Sequence, residues 1–561
     1  MIIAVVHGYL LRGTGSNLYV SNLCQTFCRQ GHQVLLFSQE EETKAFDFIS
    51  SSETFKEDNQ KTTLNFERST PYPGSCKHYR PNLAGMLPVY VYDHYPGFEV
   101  KEFITLDGAE LDSYIEKNCT ALETVFKDTV PDLVISQHTI MQPVYSARAL
   151  AECGKINTRH LATVHGSALN FSVRKSDLLR NYALEGINSV DGLVFVSSHS
   201  RDDFINYFSD LTRLEEKCNV IFAGVNTGLF QPLKNREEKQ ENVDELQKLL
   251  KKTTANKKGG KSSKGKAEFQ GKLRSADNTT DVNKLISSVQ DQSDIWAPDQ
   301  DGADNLAGID WINEKIVLYY GKYLWTKGIH LLLAAMPLVL EKHPNARLIL
   351  VGFGAAREYF EAPVGLLDQG RIELALEMIK KPGSFNGDGT DHDFYSDGLC
   401  RLLSDEQTAD SYRKACKDKI GQQIIFTGIM SHEQLRLLIP CANVTAAPSI
   451  FPEAFGLVGV EALACGVLPV QTYHSGFADV VDIYEEEFRD VFTAAGIKHL
   501  TLDEHLIPNL ADNINAVLSY LEGITEDERA QLAKRAHHLA EEHFSWDKIA
   551  AHYVQLQSNQ Q

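Results

Sequence analysis

Several features are missing from this chain, and each absence excludes a class of protein. The ten cysteines lack the spacing of a metal site, and Cys24 and Cys28 suit packed thiols on one helical face. This cysteine usage predicts a reducing compartment. The start, Met1–Gly8, has no basic n-region, and its apolar run is too short for a signal peptide or a membrane span. We therefore expect a cytoplasmic protein.

An excess of positive charge is also missing. The chain has 55 Lys and Arg against 75 Asp and Glu, so its formal net charge is −20 at pH 7. Such a charge argues against nucleic-acid binding and repels an anionic membrane surface, except where it is locally reversed. No transmembrane segment is predicted, and a peripheral membrane contact stays open.

The chain is long and apolar enough for several domains. It has 561 residues, 43% of them hydrophobic. Short β-rich runs alternate with longer helix-like stretches in two successive halves, as in βαβ units. This rhythm predicts an α/β protein with two parallel-sheet domains. The runs that we interpret as strands are 2–6, 33–38, 88–92, 133–136, 161–164, 193–196, 220–222, 316–320, 347–351, 423–426, 444–447 and 467–471.

Two glutamates bracket the predicted start of a helix near Gly456. Glu453 comes just before this start and Glu461 lies inside the helix. A helix start offers free N–H groups and the positive end of the helix dipole, which together bind anions. A nucleotide sugar suits the layout: the diphosphate on the N–H groups, the ribose near Glu461 and the sugar near Glu453. Acidic residues also occur near helix starts for dipole reasons alone.

The pair belongs to a longer series of motifs. The motifs are Gly13-Thr-Gly15-Ser16-Asn17, Thr163-Val164-His165-Gly166, Gly224-Val225-Asn226, Gly321-Lys322-Tyr323-Leu324-Trp325-Thr326-Lys327-Gly328, Val351-Gly352-Phe353-Gly354, Phe426-Thr427-Gly428 and the Glu453–Glu461 segment. With these motifs the chain resembles the family 4 glycosyltransferases of the GT-B fold. The resemblance covers most of the chain apart from two insertions.

The resemblance implies two Rossmann-like domains facing across a cleft, with a C-terminal helix that packs back on the first. We expect four segments: an acceptor-side domain at 1–233, a charged linker at 234–312, a donor-binding domain at 313–540 and the returning helix at 541–561.

The resemblance also implies the roles of the site residues. Glu453, His165 and Lys327 are the expected catalytic residues, and Lys322 stands where the family usually has arginine. The ammonium groups of Lys322 and Lys327 are expected to neutralise the leaving diphosphate without a metal. The expected donor-binding residues are Gly13, Gly15, Lys322, Lys327, Gly352, Gly428, Met430, Phe455, Gly456, Leu457, Val458 and Glu461. His7, His138 and His199 are candidates for contacting an acceptor.

Two segments interrupt the motifs. The first, at 234–312, is basic in Lys251–Arg274 and acidic after it, so we expect a disordered spacer or a basic tether. We also expect Lys251–Arg274 to be dispensable for folding. The second, about 355–419, should contain a helix near Ile372–Ile379 and a turn at Phe385–Asp391.

The expected function is a retaining, metal-independent transfer of a sugar from a nucleoside diphosphate to a hydroxyl acceptor, without a cofactor. The acceptor could be a sugar, a lipid or a small molecule. Two alternatives stay open. One is a nucleotide-sugar epimerase or a phosphorylase on the same fold, and the other is a catalytically silent nucleotide-sugar binding protein.

Overall fold

The structure, a computed structural model, describes residues 1–13, 15–90, 95, 97–154, 157–235, 237–256, 260–289, 297–380 and 394–558. The chain divides into two compact units. Unit 1 comprises Met1–Gly224 and Phe544–Gln561, and unit 2 comprises Val225–His543. The predicted turn at Phe385–Asp391 lies outside the described residues.

Unit 1 contains a nine-stranded sheet in the order β11-β10-β9-β8-β1-β2-β5-β3-β4. Its strands pair in parallel except β3 with β4. Strands β3, β4 and β5, which extend the sheet beyond β2, were not predicted from the sequence. The strands are β1 Ile2–Val6, β2 Gln33–Phe37, β3 Ile49–Phe55, β4 Thr62–Glu67, β5 Ser75–Arg80, β6 Met86–Val89, β7 Glu99–Glu102, β8 Leu133–Gln137, β9 Arg159–Val164, β10 Gly192–Phe195 and β11 Cys218–Val220; β6 and β7 form a separate pair.

The helices of unit 1 bury apolar faces against this sheet. In the first of them, the apolar residues that recur at helical spacing are buried, namely Val20, Leu23, Cys24 and Phe27. The helices are α1 Gly15–Arg29, α2 Gly108–Asp128, α3 Gln142–Glu152, α4 Ser167–Phe171, α5 Asp177–Ser189, α6 Ser198–Tyr207 and α7 Leu214–Lys217.

Unit 2 contains a five-stranded parallel sheet in the order β14-β13-β12-β15-β16. The strands are β12 Lys315–Lys322, β13 Ala346–Phe353, β14 Ile424–Gly428, β15 Val444–Ala447 and β16 Pro469–Gln471. The helices are α8 Glu237–Asn256, α9 Ser263–Leu273, α10 Thr279–Val289, α11 Gly302–Ala307, α12 Ile329–Lys342, α13 Arg357–Asp368, α14 Ile372–Lys380, α15 Asp397–Leu402, α16 Glu406–Cys416, α17 Ile420–Gln423, α18 His432–Leu438, α19 Leu457–Ala464, α20 Ser475–Glu487, α21 Arg489–Ala495, α22 Leu506–Gly523 and α23 Glu526–Phe544.

The last helix, α24 Trp546–Ser558, packs on unit 1 as expected. The Tyr553 hydroxyl lies 3.0 Å from the Tyr19 hydroxyl and 2.8 Å from Thr163 Oγ1. Trp546 packs edge-on against the Tyr19 ring. Two parallel-sheet units and a terminal helix that returns to the first unit confirm the predicted fold class.

The expectation of a disordered linker at 234–312 is wrong for the described residues. They form α8 to α11, and Val243, Leu246 and Leu250 of α8 are buried. In the stretch thought dispensable, Phe269 and Leu273 of α9 are buried as well. These few apolar residues recur at helical spacing within a charged sequence, so the overall composition concealed a buried face.

Charged side chains anchor this insertion to α13 of the second insertion. Arg357 donates to both carboxylate oxygens of Asp299, at 2.5 and 2.6 Å. Lys266 bridges Asp299 and Asp301, and Lys261 bridges Glu358 and Glu361, each at 2.7 or 2.8 Å. Although burial opposes its ionisation, Arg357 and Lys261 lower the pKa of Glu361 to about 2. We call this set the anchoring network; its members are Lys261, Lys266, Asp299, Asp301, Arg357, Glu358 and Glu361.

The helix expected near Ile372–Ile379 is α14.

Among the described residues, we find no helix that is both long enough and apolar enough to cross a bilayer.

Candidate functional site

The helix that the sequence predicted between the two glutamates is α19, which begins at Leu457. Its N-cap is Gly456, with φ 116° in the left-handed region. A Cβ atom at this position would lie 2.3 Å from the Phe477 ring, so the close approach requires glycine. Leu457 is exposed, Val458 is half-buried and Phe455 is buried. The first turn of α19, whose backbone N–H groups have no partner within the helix, therefore lies at the protein surface.

Glu453 lies in the loop between β15 and α19 and is held by several partners. Lys327 forms an ion pair with its Oε1, and Ser449 Oγ donates to the same oxygen at 2.7 Å. Its backbone N–H donates to Ser475 Oγ at 2.9 Å. The Glu453 side chain is 18% exposed and that of Lys327 is 32% exposed. This carboxylate is thus fixed in position and open to solvent.

The loops that carry Lys327 and Glu453 follow β12 and β15, which are neighbours in the sheet. The chain leaves β12 for β13 on one side, whereas β15 lies on the other side. Open parallel sheets bind ligands at such a switch point, outside the carboxyl ends of the strands. Gly328 closes the first loop with φ 70°, and a Cβ atom there would lie 1.8 Å from the Pro448 carbonyl oxygen.

Glu461 lies inside α19 and is buried. Burial raises the pKa of its carboxyl to about 7. The neighbouring Tyr320 hydroxyl donates its one hydrogen to the Val458 carbonyl at 2.6 Å. His432 Nε2, at the start of α18, lies 3.7 Å from Glu461 Oε1. Glu461 can therefore change its charge near neutral pH.

Lys322 ends β12, is exposed and pairs in register with Phe353 of β13. Gly352 is buried one residue before this strand end, where a Cβ atom would lie 2.1 Å from the Gly321 carbonyl oxygen. Both residues thus lie at the carboxyl ends of their strands, as predicted.

Gly428 and Met430 follow at the end of β14 and are both buried. Part of the first insertion packs here, because Pro298 forms a β-bridge with Gly428. A Cβ atom on Gly428 would lie 2.6 Å from the Asp299 backbone nitrogen. The insertion therefore forms one wall beside these two expected donor-binding residues, an arrangement that was not predicted from the sequence.

An Asp-x-Asp spacing, typical of magnesium sites in another transferase fold, does occur at Asp299–Asp301. Its carboxylates are occupied by Lys266, and Asp299 also binds Arg357. The same spacing at Asp391–Asp393 lies outside the described residues.

The structure places Gly13, Gly15 and His165 in unit 1. Gly13, with φ 94°, lies in the turn before α1 and Gly15 is the first residue of that helix; both are exposed. His165 follows β9, and its Nε2 lies 2.7 Å from Gln137 Oε1. Burial lowers the pKa of His165 to about 3, so its imidazole is neutral.

His7 and His138 lie beside His165 at the carboxyl ends of neighbouring strands. The His138 ring centroid is 6.0 Å from that of His7 and 5.0 Å from that of His165. Burial lowers the pKa values of His7, to about 4, and of His138. His199 lies in α6. Unit 1 thus presents neutral imidazoles at its strand ends.

Three further residues of the unit 2 site were missed. Ser449 and Ser475 hold Glu453, and His432 approaches Glu461. Ser449 is only four residues before Glu453 on the same loop, so the sequence alone could have predicted a contact between them. His432 is 29 residues before Glu461, and the fold brings α18 and α19 close enough for the two side chains to approach.

Part of unit 2 matches a known protein family. Residues 311–370 and 390–519 match the model of the glycosyl transferases group 1. These segments contain Lys322, Lys327, Gly352, Gly428, Glu453 and Glu461. They exclude unit 1 and nearly all of the first insertion.

Three relatives share shorter stretches with the chain. An uncharacterized glycosyltransferase of Methanocaldococcus jannaschii is 25% identical over 169 residues, covering 30% of each chain. A D-inositol 3-phosphate glycosyltransferase of Mycolicibacterium smegmatis is 32% identical over 145 residues, covering 25% of this chain and 28% of the relative. A lipopolysaccharide 1,2-N-acetylglucosaminetransferase of Salmonella typhimurium is 26% identical over 152 residues, covering 26% and 35%. The chain therefore spans about a third or less of each relative.

Solved structures that align with this chain include a sucrose-phosphate synthase from Thermosynechococcus elongatus. The alignment has a TM-score of 0.46 and 17% identity, and it covers 99% of this chain and 98% of the other. Anabaena HepE in complex with UDP and glucose gives a TM-score of 0.47, with 13% identity and coverage of 100% and 99%.

Proposed function

We propose that this protein is a retaining glycosyltransferase that moves a sugar from a nucleoside diphosphate to a hydroxyl acceptor without a metal. The observation that carries the proposal is the Lys327–Glu453 ion pair beside the start of α19, with Glu461 buried inside that helix. The match of this region to the glycosyl transferases group 1 supports the proposal.

In the proposed reaction, the N–H groups at Gly456–Val458 and the ammonium groups of Lys322 and Lys327 bind the diphosphate. They stabilise the charge that develops as the bond between the sugar C1 and the phosphate oxygen breaks. Glu461 accepts hydrogen bonds from the ribose, and Glu453 contacts the sugar. The base lies beside Gly428 and Met430.

Retention follows if the acceptor oxygen attacks C1 on the face that the diphosphate leaves. The bond from C1 to the acceptor oxygen then forms as the old bond breaks, and the acceptor proton passes to the leaving phosphate. We place the acceptor with unit 1, where His7 and His138 are candidates for contacting it. The names of the relatives mention different acceptors, so they do not select one. A cytoplasmic location and a possible peripheral membrane contact remain part of the proposal.

Two conservative substitutions test the proposal, because the two glutamates have different partners. Glu453→Gln should leave nucleoside diphosphate affinity nearly intact and lower turnover by a factor of about 10²–10³, as expected for the loss of one preorganised electrostatic partner. Glu461→Gln should weaken nucleoside diphosphate and intact donor alike. Calorimetry with UDP, ADP, CDP and GDP, and donor consumption with the matching glucose donors, provide the readouts.

Glu373→Gln is the matched control, because the Glu373 side chain is 82% exposed on α14. Its affinity and turnover should equal those of the parent. If Glu453→Gln keeps more than about half of the parent turnover, the assignment of Glu453 to the sugar is wrong. Identification of the product separates transfer from epimerisation and phosphorolysis, and tight nucleotide binding without turnover would indicate a binding protein.

A further inference from the structure

A gap separates the imidazole of His432 from the carboxylate of Glu461. The atoms that face each other, Nε2 and Oε1, are 3.7 Å apart, which is too long for a direct hydrogen bond. An oxygen atom about 2.8 Å from both would complete the contact. The His432 side chain is 49% exposed and that of Glu461 is 11% exposed, so a ligand can reach the gap from the His432 side.

His432 is held in this place by its helix. It is the first residue of α18, whose start is fixed by a capping box between Ser431 and Gln434. Gln434 Nε2 donates to Thr253 Oγ1 of α8 at 3.2 Å, so the first insertion supports the helix. The Phe230 ring lies edge-on to the imidazole, with 5.9 Å between the centroids.

We propose that His432 binds the donor's ribose together with Glu461, with one ribose hydroxyl placed between the two side chains. This inference rests on the proposed function, which assigns the ribose to Glu461. The hydroxyl would donate to the Glu461 carboxylate and accept from the imidazole N–H. His432 would then distinguish a ribonucleotide from its deoxy counterpart.

The charges around the gap suit a hydroxyl better than an anion. Burial lowers the pKa of His432, with Glu433 opposing the change, so a neutral imidazole faces the gap near pH 7. Among the described residues, Tyr320 of β12 and Cys465, which follows α19, are further titratable neighbours of Glu461. A neutral imidazole can donate one hydrogen bond and a carboxylate only accepts, which matches the donor and acceptor capacity of an alcohol.

The test compares UDP with 2′-deoxy-UDP and 3′-deoxy-UDP by calorimetry. If UDP does not bind, the tightest of ADP, CDP and GDP replaces it, with its own deoxy counterparts. The parent should prefer the ribonucleotide to one deoxy form by about tenfold, the effect of one lost hydrogen bond. His432→Ala should reduce this preference to about twofold, and His432→Gln, which keeps an N–H donor, should restore part of it.

His538→Ala is the control, because His538 is 70% exposed on α23 and pairs with glutamates of its own helix. Its preference should match that of the parent. An equal loss of affinity for both nucleotides in His432→Ala, or an unchanged preference, would overturn the assignment of His432 while leaving nucleotide binding established. If the parent binds none of the four nucleoside diphosphates, the proposed function itself fails.

Discussion

Two groups of ion-paired side chains in unit 2 differ in how far they are exposed to solvent. The Lys327–Glu453 pair is partly open, with 32% and 18% of the side chains exposed. In the anchoring network, the Asp299 side chain is fully buried and binds both Lys266 and Arg357. Both groups are paired, but the Lys327–Glu453 pair has an exposed side on which a ligand can replace solvent, whereas the charges of the network are enclosed by their partners.

This difference separates a site from a scaffold. Charges that a ligand can reach can stabilise the charge that develops on it, and they do so more strongly once the ligand has displaced the water. Buried charges must be paired to tolerate desolvation, and the removal of one partner leaves the other uncompensated. We therefore expect substitutions in the network to affect stability, and substitutions in the open pair to affect ligand binding or turnover.

The largest effect on stability should come from Arg357→Ala. This substitution leaves Asp299 and Glu361 buried with fewer cations, which should lower the free energy of unfolding by about 3–5 kcal/mol. Chemical denaturation of the full chain measures the loss. Arg413→Ala is the control, because Arg413 is 43% exposed and pairs with Asp410 on the same helix; its effect should stay within about 1 kcal/mol. Equal effects of the two substitutions would remove the distinction between site and scaffold.

The sequence predicted one side of this comparison better than the other. The motifs at the ends of β12 and β15 and the start of α19 were located correctly, because glycine positions and strand ends are local signals. The helices of the first insertion were missed, since their charged residues are buried by partners on α13, about 60 to 100 residues away in the chain. The partners of Glu453 and Glu461 on other elements were missed for the same reason.

An intermediate effect should come from the two lysines. Lys322→Ala and Lys327→Ala should each weaken nucleoside diphosphate binding by about 1–3 kcal/mol, the value of a charge-assisted hydrogen bond. The affinity for the nucleoside alone should change little, because it lacks the diphosphate. Calorimetry with both ligands checks this, with Lys342→Ala, 62% exposed, as the control. If the affinities for the nucleoside diphosphate and for the nucleoside fall equally, the two lysines have a structural role and do not bind the diphosphate.

The smallest effect should be a pH dependence of nucleotide affinity. The Glu461 carboxyl has a pKa of about 7 because it is buried, and its ionised form is the better acceptor for ribose hydroxyls. As the pH falls from 8 to 6, protonation of Glu461 should therefore weaken binding several-fold and by at most about tenfold. Titration of the diphosphate itself contributes in the same range and is measured with Glu461→Gln, which should retain only that contribution. If the parent and Glu461→Gln show the same pH profile, the buried carboxylate does not bind the ribose, and the contrast between the open site and the closed network rests on Lys327 and Glu453 alone.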